Sequence, residues 1–452
     1  MKNRQIAKSF CYFIKNVYLC HIKQNCMESV FYKARIADKL LQYKLKSSAA
    51  VLVQGPKWCG KTTTAEQVAN SILYLADPDT IQKNLLLAET NINALLQGDQ
   101  PRLIDEWQEA PQLWDAIRFT ADHNPSMGQF ILTGSAVPVK KEILRHSGTG
   151  RISRLTMRTM SLWESGESNG TIQLKDLFGQ ENQIFAETNL QLIDIAYLIC
   201  RGGWPSTTNM EKQYALASAY NYVEAIADTD ISRVDNTLRD ASKARRLMRS
   251  LARHQGIQVA NTVIRDDMRM NAADTLTEDT VANYITALKK LFVVEDMEAW
   301  NPNLRSKSAI RTSDTHYFTD PSIAVAALGV GPNDLLNDLN TLGLLFETMA
   351  VRDLRIYAEA LNGQVYHFRD KNGLECDTVI HLRNGHYGLV EIKLGGEKLI
   401  EEGVTSLTRL AQKIDTEKMF SPSFLMVLTA VGNMAYRRKD GVYVVPIACL
   451  KD

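Results

Sequence analysis

The stretch Gly55-Pro56-Lys57-Trp58-Cys59-Gly60-Lys61-Thr62-Thr63 decides how this chain is read, because Gly55 to Thr62 complete the string G-x-x-x-x-G-K-T. Glycines at both ends of such a loop let successive backbone N–H groups turn inward around a polyphosphate. The lysine then reaches the terminal phosphates, and the following hydroxyl can ligate magnesium. All nine residues from Gly55 to Thr63 are therefore expected to line a nucleotide site, with Lys61 on the phosphates and Thr62 on the metal. The flanks fit. Ala49-Ala50-Val51-Leu52-Val53 before the loop is an apolar run reading as a buried strand, and Thr64–Ser71 after it reads as helical, its N-terminus toward the anion.

A phosphate-binding loop needs an acidic partner for its metal. Leu103-Ile104-Asp105-Glu106 supplies an apolar strand ending in two carboxylates. Asp105 is expected to hold the Mg2+ shell, and Glu106 to polarise the attacking water. Ile72-Leu73-Tyr74-Leu75 reads as an intervening strand, and Gln129–Ser135 as another that delivers Thr133 to sense the terminal phosphate. Guanine specificity usually brings an N-K-x-D string; the chain has none, so ATP is the expected nucleotide. A further positive charge on the γ-phosphate is expected from Arg151 or Arg154, in Gly150-Arg151-Ile152-Ser153-Arg154; either could equally be a solvated loop arginine.

The rest of the composition sets bounds. At 452 residues the chain is about three times the usual domain size, which predicts two to four domains. With 45% hydrophobic and 23% charged residues it is neither disordered nor a disulfide miniprotein. Lys and Arg total 52 against 51 Asp and Glu, so any nucleic-acid footprint must be a local patch. The seven cysteines are scattered without C-x-x-C pairs, which points to reduced thiols and a cytoplasmic location. No window approaches the roughly 18 apolar residues of a membrane span. Residues 1–26 carry five basic side chains and no acidic ones, and read as an extension ahead of a start at Met27 or as a basic arm.

Downstream, Arg201-Gly202-Gly203-Trp204-Pro205 has turn chemistry and marks a boundary. Tyr214–Ala227, Lys243–His254 and Glu278–Leu291 are helical in period, and Phe292–Met297 reads as a strand, the order of a winged helix-turn-helix or of a bundle that only packs. The segment Leu342–Tyr357 is helical and carries Glu347; Gln364–Arg369, Glu375–Leu382 and Tyr387–Leu394 follow as strands, with Asn384-Gly385 as a hairpin turn. In the last strand Val390, Ile392 and Leu394 share one face, leaving Glu391 and Lys393 on the other. Asp377, across the hairpin, can approach Glu391. The two carboxylates are expected to hold magnesium with Glu347 nearby, while Lys393 orients a water or stabilises charge on a phosphodiester. Such a pair alone is also an ordinary solvated strand face; the order helix, hairpin, strand is what gives it weight.

Taken together, the chain resembles prokaryotic AAA-type ATPases that carry the C-terminal domain of unknown function 4143. Its strings are Arg35-Ile36, Gly55–Thr62, Leu103–Glu106, Leu132-Thr133-Gly134-Ser135, Gly150-Arg151, Gly202–Pro205, Asp230-Ile231-Ser232-Arg233, Thr280-Val281 with Tyr284, Tyr317–Asp320, and Glu347 through Lys393. Residues 1–26 depart from the pattern, as does Cys376, where an apolar residue is commoner. The resemblance implies an α/β fold class: a P-loop NTPase parallel sheet over 27–206, a winged-helix-like helical segment over 207–305, and a restriction-endonuclease-like α/β domain over 306–452. The expected function is ATP hydrolysis controlling a nucleic-acid-handling, nuclease-like tail, or else a nucleotide-gated DNA-binding scaffold whose tail is silent. DNA is the expected partner, no membrane is expected, and an arginine supplied by a second copy would make a homo-oligomer obligatory for turnover.

Overall fold

The apolar run before the loop becomes strand β1 (Ala50–Gln54) of a five-stranded sheet. The computed structural model describes residues 32–134, 148–179, 183–269, 276–301, 313–417 and 419–452; the extension over 1–26, the start at Met27, Ser135 and the boundary at 305 lie outside them. Arg35–Asp452 forms one unit, which holds every element named below.

The other strands of the first sheet are β2 (Ser71–Tyr74), β3 (Arg102–Asp105), β4 (Phe130–Gly134) and β5 (Ile152–Thr156). Every pairing is parallel and the order is β2-β3-β4-β1-β5, so the Thr133 strand lies between the loop strand and the acidic strand. Parallel strands covered on both faces read as continuous apolar runs. Ala50 and Leu52 pack with Ile104, Leu132 and helix Leu113–His123, while Val51 and Val53 face Leu155 and helix α1 (Ile36–Ser47). The helix after the loop, α2, is Lys61–Glu66, shorter than the expected Thr64–Ser71. The Asn70 amide bonds to the Pro101 carbonyl at 2.8 Å, which draws the chain out of the helix and into β2.

Beyond β5 the chain leaves this sheet. Two short strands, β6 (Ile172–Gln173) and β7 (Ala186–Glu187), pair instead with the far C-terminal region, although the expected first domain ran to residue 206. The middle region contains helix Lys212–Ala225, continuing through Ile226–Asp230 and Ile231–Arg233, then α3 (Ala241–Arg253), α4 (Asn261–Met268) and α5 (Glu278–Lys290). Strands β8 (Val294–Met297) and β9 (Thr315–Phe318) pair antiparallel after them.

The C-terminal region opens with α6 (Leu339–Ala360), followed by β10 (Gly363–Arg369), β11 (Glu375–Leu382) and β12 (Tyr387–Lys393). The crossover helix α7 (Glu397–Lys413) returns the chain to β13 (Phe424–Thr429), parallel to β12. With β14 (Met434–Arg437), β15 (Tyr443–Pro446) and β7 the sheet order is β10-β11-β12-β13-β15-β14-β7, and β16 (Leu450–Lys451) pairs with β6. One hydrophobic core runs from Ile36 and Leu162 through the middle helices to Leu450.

Candidate functional site

The strand ends of the first sheet place the loop, the acidic strand and the Thr133 strand side by side. Gly55 has φ 151°, and a Cβ there would lie 2.0 Å from the Met157 carbonyl oxygen, so only glycine fits. Gly60 (φ 97°) and Trp58 (φ 65°) are also left-handed, a strained conformation for a bulky residue. Lys61, buried, donates to the Gly55 and Pro56 carbonyls at 3.1 and 2.7 Å. Asp105 Oδ1 accepts from Thr62 Oγ1 at 2.7 Å and from Thr133 Oγ1 at 2.6 Å, joining three elements at one oxygen. Hydroxyl and carboxylate oxygens are the hard donors Mg2+ requires, so Thr62 and Asp105 fit that ion. Glu106 follows at φ 54° and accepts from the Gln108 amide.

Two neighbours grip the loop. Arg35, buried, donates to the Cys59 carbonyl and the Arg158 carbonyl, both at 2.9 Å, and pairs with Glu164 at 3.0 Å. From the middle region Asp230 accepts from Lys57 Nζ at 2.7 Å, and Tyr222 packs against the Trp58 ring with centroids 5.7 Å apart.

Arg151 is placed elsewhere. Its carbonyl accepts from the Ala50 amide, so it stands at the entry to β1, about 16 Å of strand from Gly55. Its side chain pairs with Asp122 at 2.6 Å. Arg154, mid-strand beside Leu52, lies over the Trp114 ring and donates to Gln54 at 3.2 Å. Among the described residues neither is bonded to Gly55–Thr63.

The second cluster lies in the C-terminal sheet. Lys393 Nζ reaches Glu391 Oε2 at 2.6 Å and Asp377 Oδ2 at 3.2 Å, and Asp377 also accepts from the Ile392 amide at 2.7 Å. The expected face-sharing of Glu391 and Lys393 and the approach of Asp377 across the hairpin are therefore both present. Glu347 accepts from the Tyr317 hydroxyl at 2.6 Å. Gly256 (φ 68°) approaches so closely that a Cβ would lie 2.5 Å from Glu347 Oε1. Burial first, and the Asp377 charge second, push Glu347 and Glu391 each up to about 8; the Lys393 ammonium opposes this without overcoming it. Lys393 itself is raised by the two carboxylates. Among the described residues no group of three His, Cys, Asp or Glu side chains is arranged to hold a metal ion.

Arg35, Asp230, Tyr317 and Asp320 lie in the family strings, which assign them no role. Asp320 is fully buried: it pairs with Arg352 at 3.1 Å and accepts from Thr159 Oγ1 at 2.6 Å and the Gly203 amide at 2.9 Å. Gly256 carried no sequence signal. No described helix is long and apolar enough to cross a membrane, and the described cysteines Cys59, Cys200, Cys376 and Cys449 are buried and free.

A family model described as an AAA domain matches residues 47–165, a domain of unknown function (DUF8612) matches 193–334, and a domain of unknown function (DUF4143) matches 342–450. The uncharacterized proteins Mb2031c of Mycobacterium bovis and Rv2008c of Mycobacterium tuberculosis are each 24% identical over 413 residues, 87% of this chain and 82% of theirs. Among solved structures, the Walker-type ATPase PABY2304 of Pyrococcus abyssi aligns at 15% identity and TM-score 0.39, over 64% of this chain and 94% of its own. A RuvB variant of Thermotoga maritima aligns at 16% and 0.21, over 57% and 87%. The chain carries an AAA-type P-loop ATPase domain and a C-terminal DUF4143 domain, as the resemblance implied.

Proposed function

We propose that this protein is a cytoplasmic, ATP-hydrolysing switch whose nucleotide state controls a nucleic-acid-handling, nuclease-like C-terminal region. The observation that carries the first half is the single Asp105 oxygen shared by Thr62 and Thr133, which supports reading these three as metal ligand, acidic anchor and phosphate sensor. Magnesium bound there would neutralise charge on the β- and γ-phosphates. Glu106 orients a water in line; the water oxygen bonds to the γ-phosphorus, the bond to the ADP oxygen breaks, and a proton is released with the phosphate.

A contiguous polar route supports control of the second half. Arg35 ties the loop carbonyl of Cys59 to Arg158; Arg158 pairs with Glu295 at 2.9 Å, and Glu295 with Arg355 at 2.7 Å. Arg355 lies over the Tyr317 ring, whose hydroxyl holds Glu347. The element order α6, β10, β11, β12, α7, β13 with Glu347, Asp377, Glu391 and Lys393 supports the nuclease-like reading. Three helices followed by the β8–β9 pair support a winged helix. Lys289 and Lys290 of α5 are held by Asp296 and Asp235; Arg246, Arg249 and Arg253 of α3 line a groove of about 680 Å³ together with Asp267, Asp334 and Asp338, and Arg253 pairs with Asp267 at 3.7 Å.

A nucleotide-gated binding scaffold is the second reading. It is favoured by the Lys393 ammonium standing where Asp377 and Glu391 converge, and by the raised proton affinity of Glu347 and Glu391. Both readings meet one experiment: DNA retention on filters and DNA integrity on gels, with and without ATP and Mg2+. Cleavage that disappears in the Asp377→Ala, Glu391→Ala double variant supports the nuclease. ATP-dependent retention of uncut DNA selects the scaffold. ATP-independent results in both assays would remove the control.

A further inference from the structure

A water that attacks the γ-phosphorus does so with a lone pair, so both of its hydrogens must point away from the phosphate, toward two acceptors held in fixed places. Glu106 is one acceptor. The turn that carries it offers a second. Glu106 leaves β3 in the left-handed region (φ 54°), an uncommon conformation for a side chain of this size, and its carbonyl accepts from the Glu109 amide at 3.0 Å. That closes the short turn Trp107–Glu109, which the buried Trp107 anchors through a ring contact with Trp114 at 5.1 Å. Gln108 is thereby folded back onto Glu106.

Only one end of the Gln108 amide is used. Its nitrogen donates to Glu106 Oε2. An ionised carboxylate only accepts, so this bond fixes which end is nitrogen and turns Oε1 the other way. Gln108 Oε1 is buried and has no hydrogen-bond partner among the described residues. Buried acceptors are rarely left so, and an exception calls for a water or a ligand. The oxygen stands against Gly134, the last residue of β4, where a Cβ would lie 2.6 Å from it. Gly134 follows Thr133, whose hydroxyl bonds Asp105. The unused acceptor is therefore next to the strand ends that carry Asp105 and Thr133, and the missing side chain at 134 leaves it room.

We propose that Gln108 is a further catalytic residue of the ATPase: Nε2 holds the Glu106 carboxylate in place, and Oε1 accepts one hydrogen of the attacking water while Glu106 accepts the other. The water's lone pair is then aimed at the γ-phosphorus. As the new oxygen–phosphorus bond forms, the bond to the ADP oxygen breaks and its electron pair stays on that oxygen. The proton on the Glu106 side passes to Glu106 and on to solvent; the one on the Gln108 side stays with the phosphate. Gly134 is a positioning residue, since a side chain there displaces Oε1.

This rests on the ATPase reading, and the test separates the two. Turnover is measured by phosphate release, and affinities for ATP, ADP and ADP with aluminium fluoride by calorimetry. The proteins are wild type, Gln108→Met, Gly134→Ala, Glu106→Gln and the Glu106→Gln, Gln108→Met double variant. Methionine keeps the unbranched shape of glutamine and removes both polar ends. Gln108→Met is expected to lower kcat by about 10²-fold with KM and ATP affinity unchanged. Its thermal midpoint does not fall, because the unsatisfied oxygen goes with the amide. ADP with aluminium fluoride, which mimics the phosphoryl group with water in line, binds this variant more weakly, whereas ADP alone binds as in wild type. Gly134→Ala reproduces the loss of turnover, which keeps the proposal falsifiable if Gln108→Met does not fold. The double variant is no slower than Glu106→Gln alone, since both side chains act on one water. Wild-type turnover in Gln108→Met, or in Gly134→Ala, would overturn the proposal. So would a fall in turnover matched by loss of ATP affinity, or single effects that multiply in the double variant. Wild type that binds ATP without hydrolysing it would remove the ATPase reading and the proposal together.

Discussion

The two clusters of acidic side chains solve opposite electrostatic problems. At the ends of the parallel strands Asp105 stands with two hydroxyl donors, Thr62 and Thr133, and among the described residues no second carboxylate shares that oxygen's bonds. In the C-terminal sheet Glu347, Asp377 and Glu391 gather in a buried setting with one ammonium among them, and two of the three are pushed toward the protonated form. The first arrangement spends little of the fold's stability on its function. The second stores like charges inside the protein, where burial opposes ionisation. Changes at the first should therefore act on chemistry, and changes around the second on folding and its pH dependence.

The largest effect that would break this contrast is at Lys61. Lys61→Ala is expected to abolish ATP binding and turnover while the thermal midpoint stays close to wild type; unchanged turnover in a phosphate-release assay would remove the loop from the account. Next comes the buried ion network behind both sites. Asp320→Ala removes one of the two carboxylates that hold buried Arg352, the other being Asp353, and takes the acceptor from the Gly203 amide; breaking a buried pair from one side costs about 3–5 kcal/mol. Urea denaturation should register that loss.

The carboxylates sharpen the contrast through pH. With Glu391 raised from 4.5 to about 8, folded and unfolded chains both hold the proton at low pH. Between these values the unfolded chain releases it first, so the contribution to stability falls as pH rises. Glu391→Gln should flatten the fall in thermal midpoint between pH 5 and pH 8, and an equally steep profile would show that this carboxyl is not raised in the folded protein. The smallest effect is at Arg151: its partner Asp122 is a surface carboxylate, and Arg151→Ala should leave turnover per chain at the wild-type value.

The same two regions differ in how far they could be read in advance. The first site is local: Gly55 to Thr62 are contiguous, and the strand before them is apolar because both its faces are covered. What the string could not convey was the end of the helix at Glu66, set by the Asn70–Pro101 bond from another strand. The position of Arg151 was equally hidden, since sequence order does not say which end of a strand faces the ligand. The second site needed register. Asn384-Gly385 set the hairpin and alternation set the face, so Asp377, Glu391 and Lys393 could be foreseen as neighbours. Tyr317 and Gly256 reach Glu347 from distant segments with no local pattern pointing there, and the helices Asn261–Met268 and Glu397–Lys413 escaped notice as well.

The short strands Ile172–Gln173 and Ala186–Glu187 carry an evolutionary corollary. Residues just past the AAA-matched segment cap the rim formed by Met434 and Ala435 and lie along Leu450-Lys451. Cutting the gene after the first module would hand the remainder an unprotected edge, a template for self-association. Neither half is a portable cassette, and recombination that swapped one for a foreign counterpart would have to carry this clasp along with it.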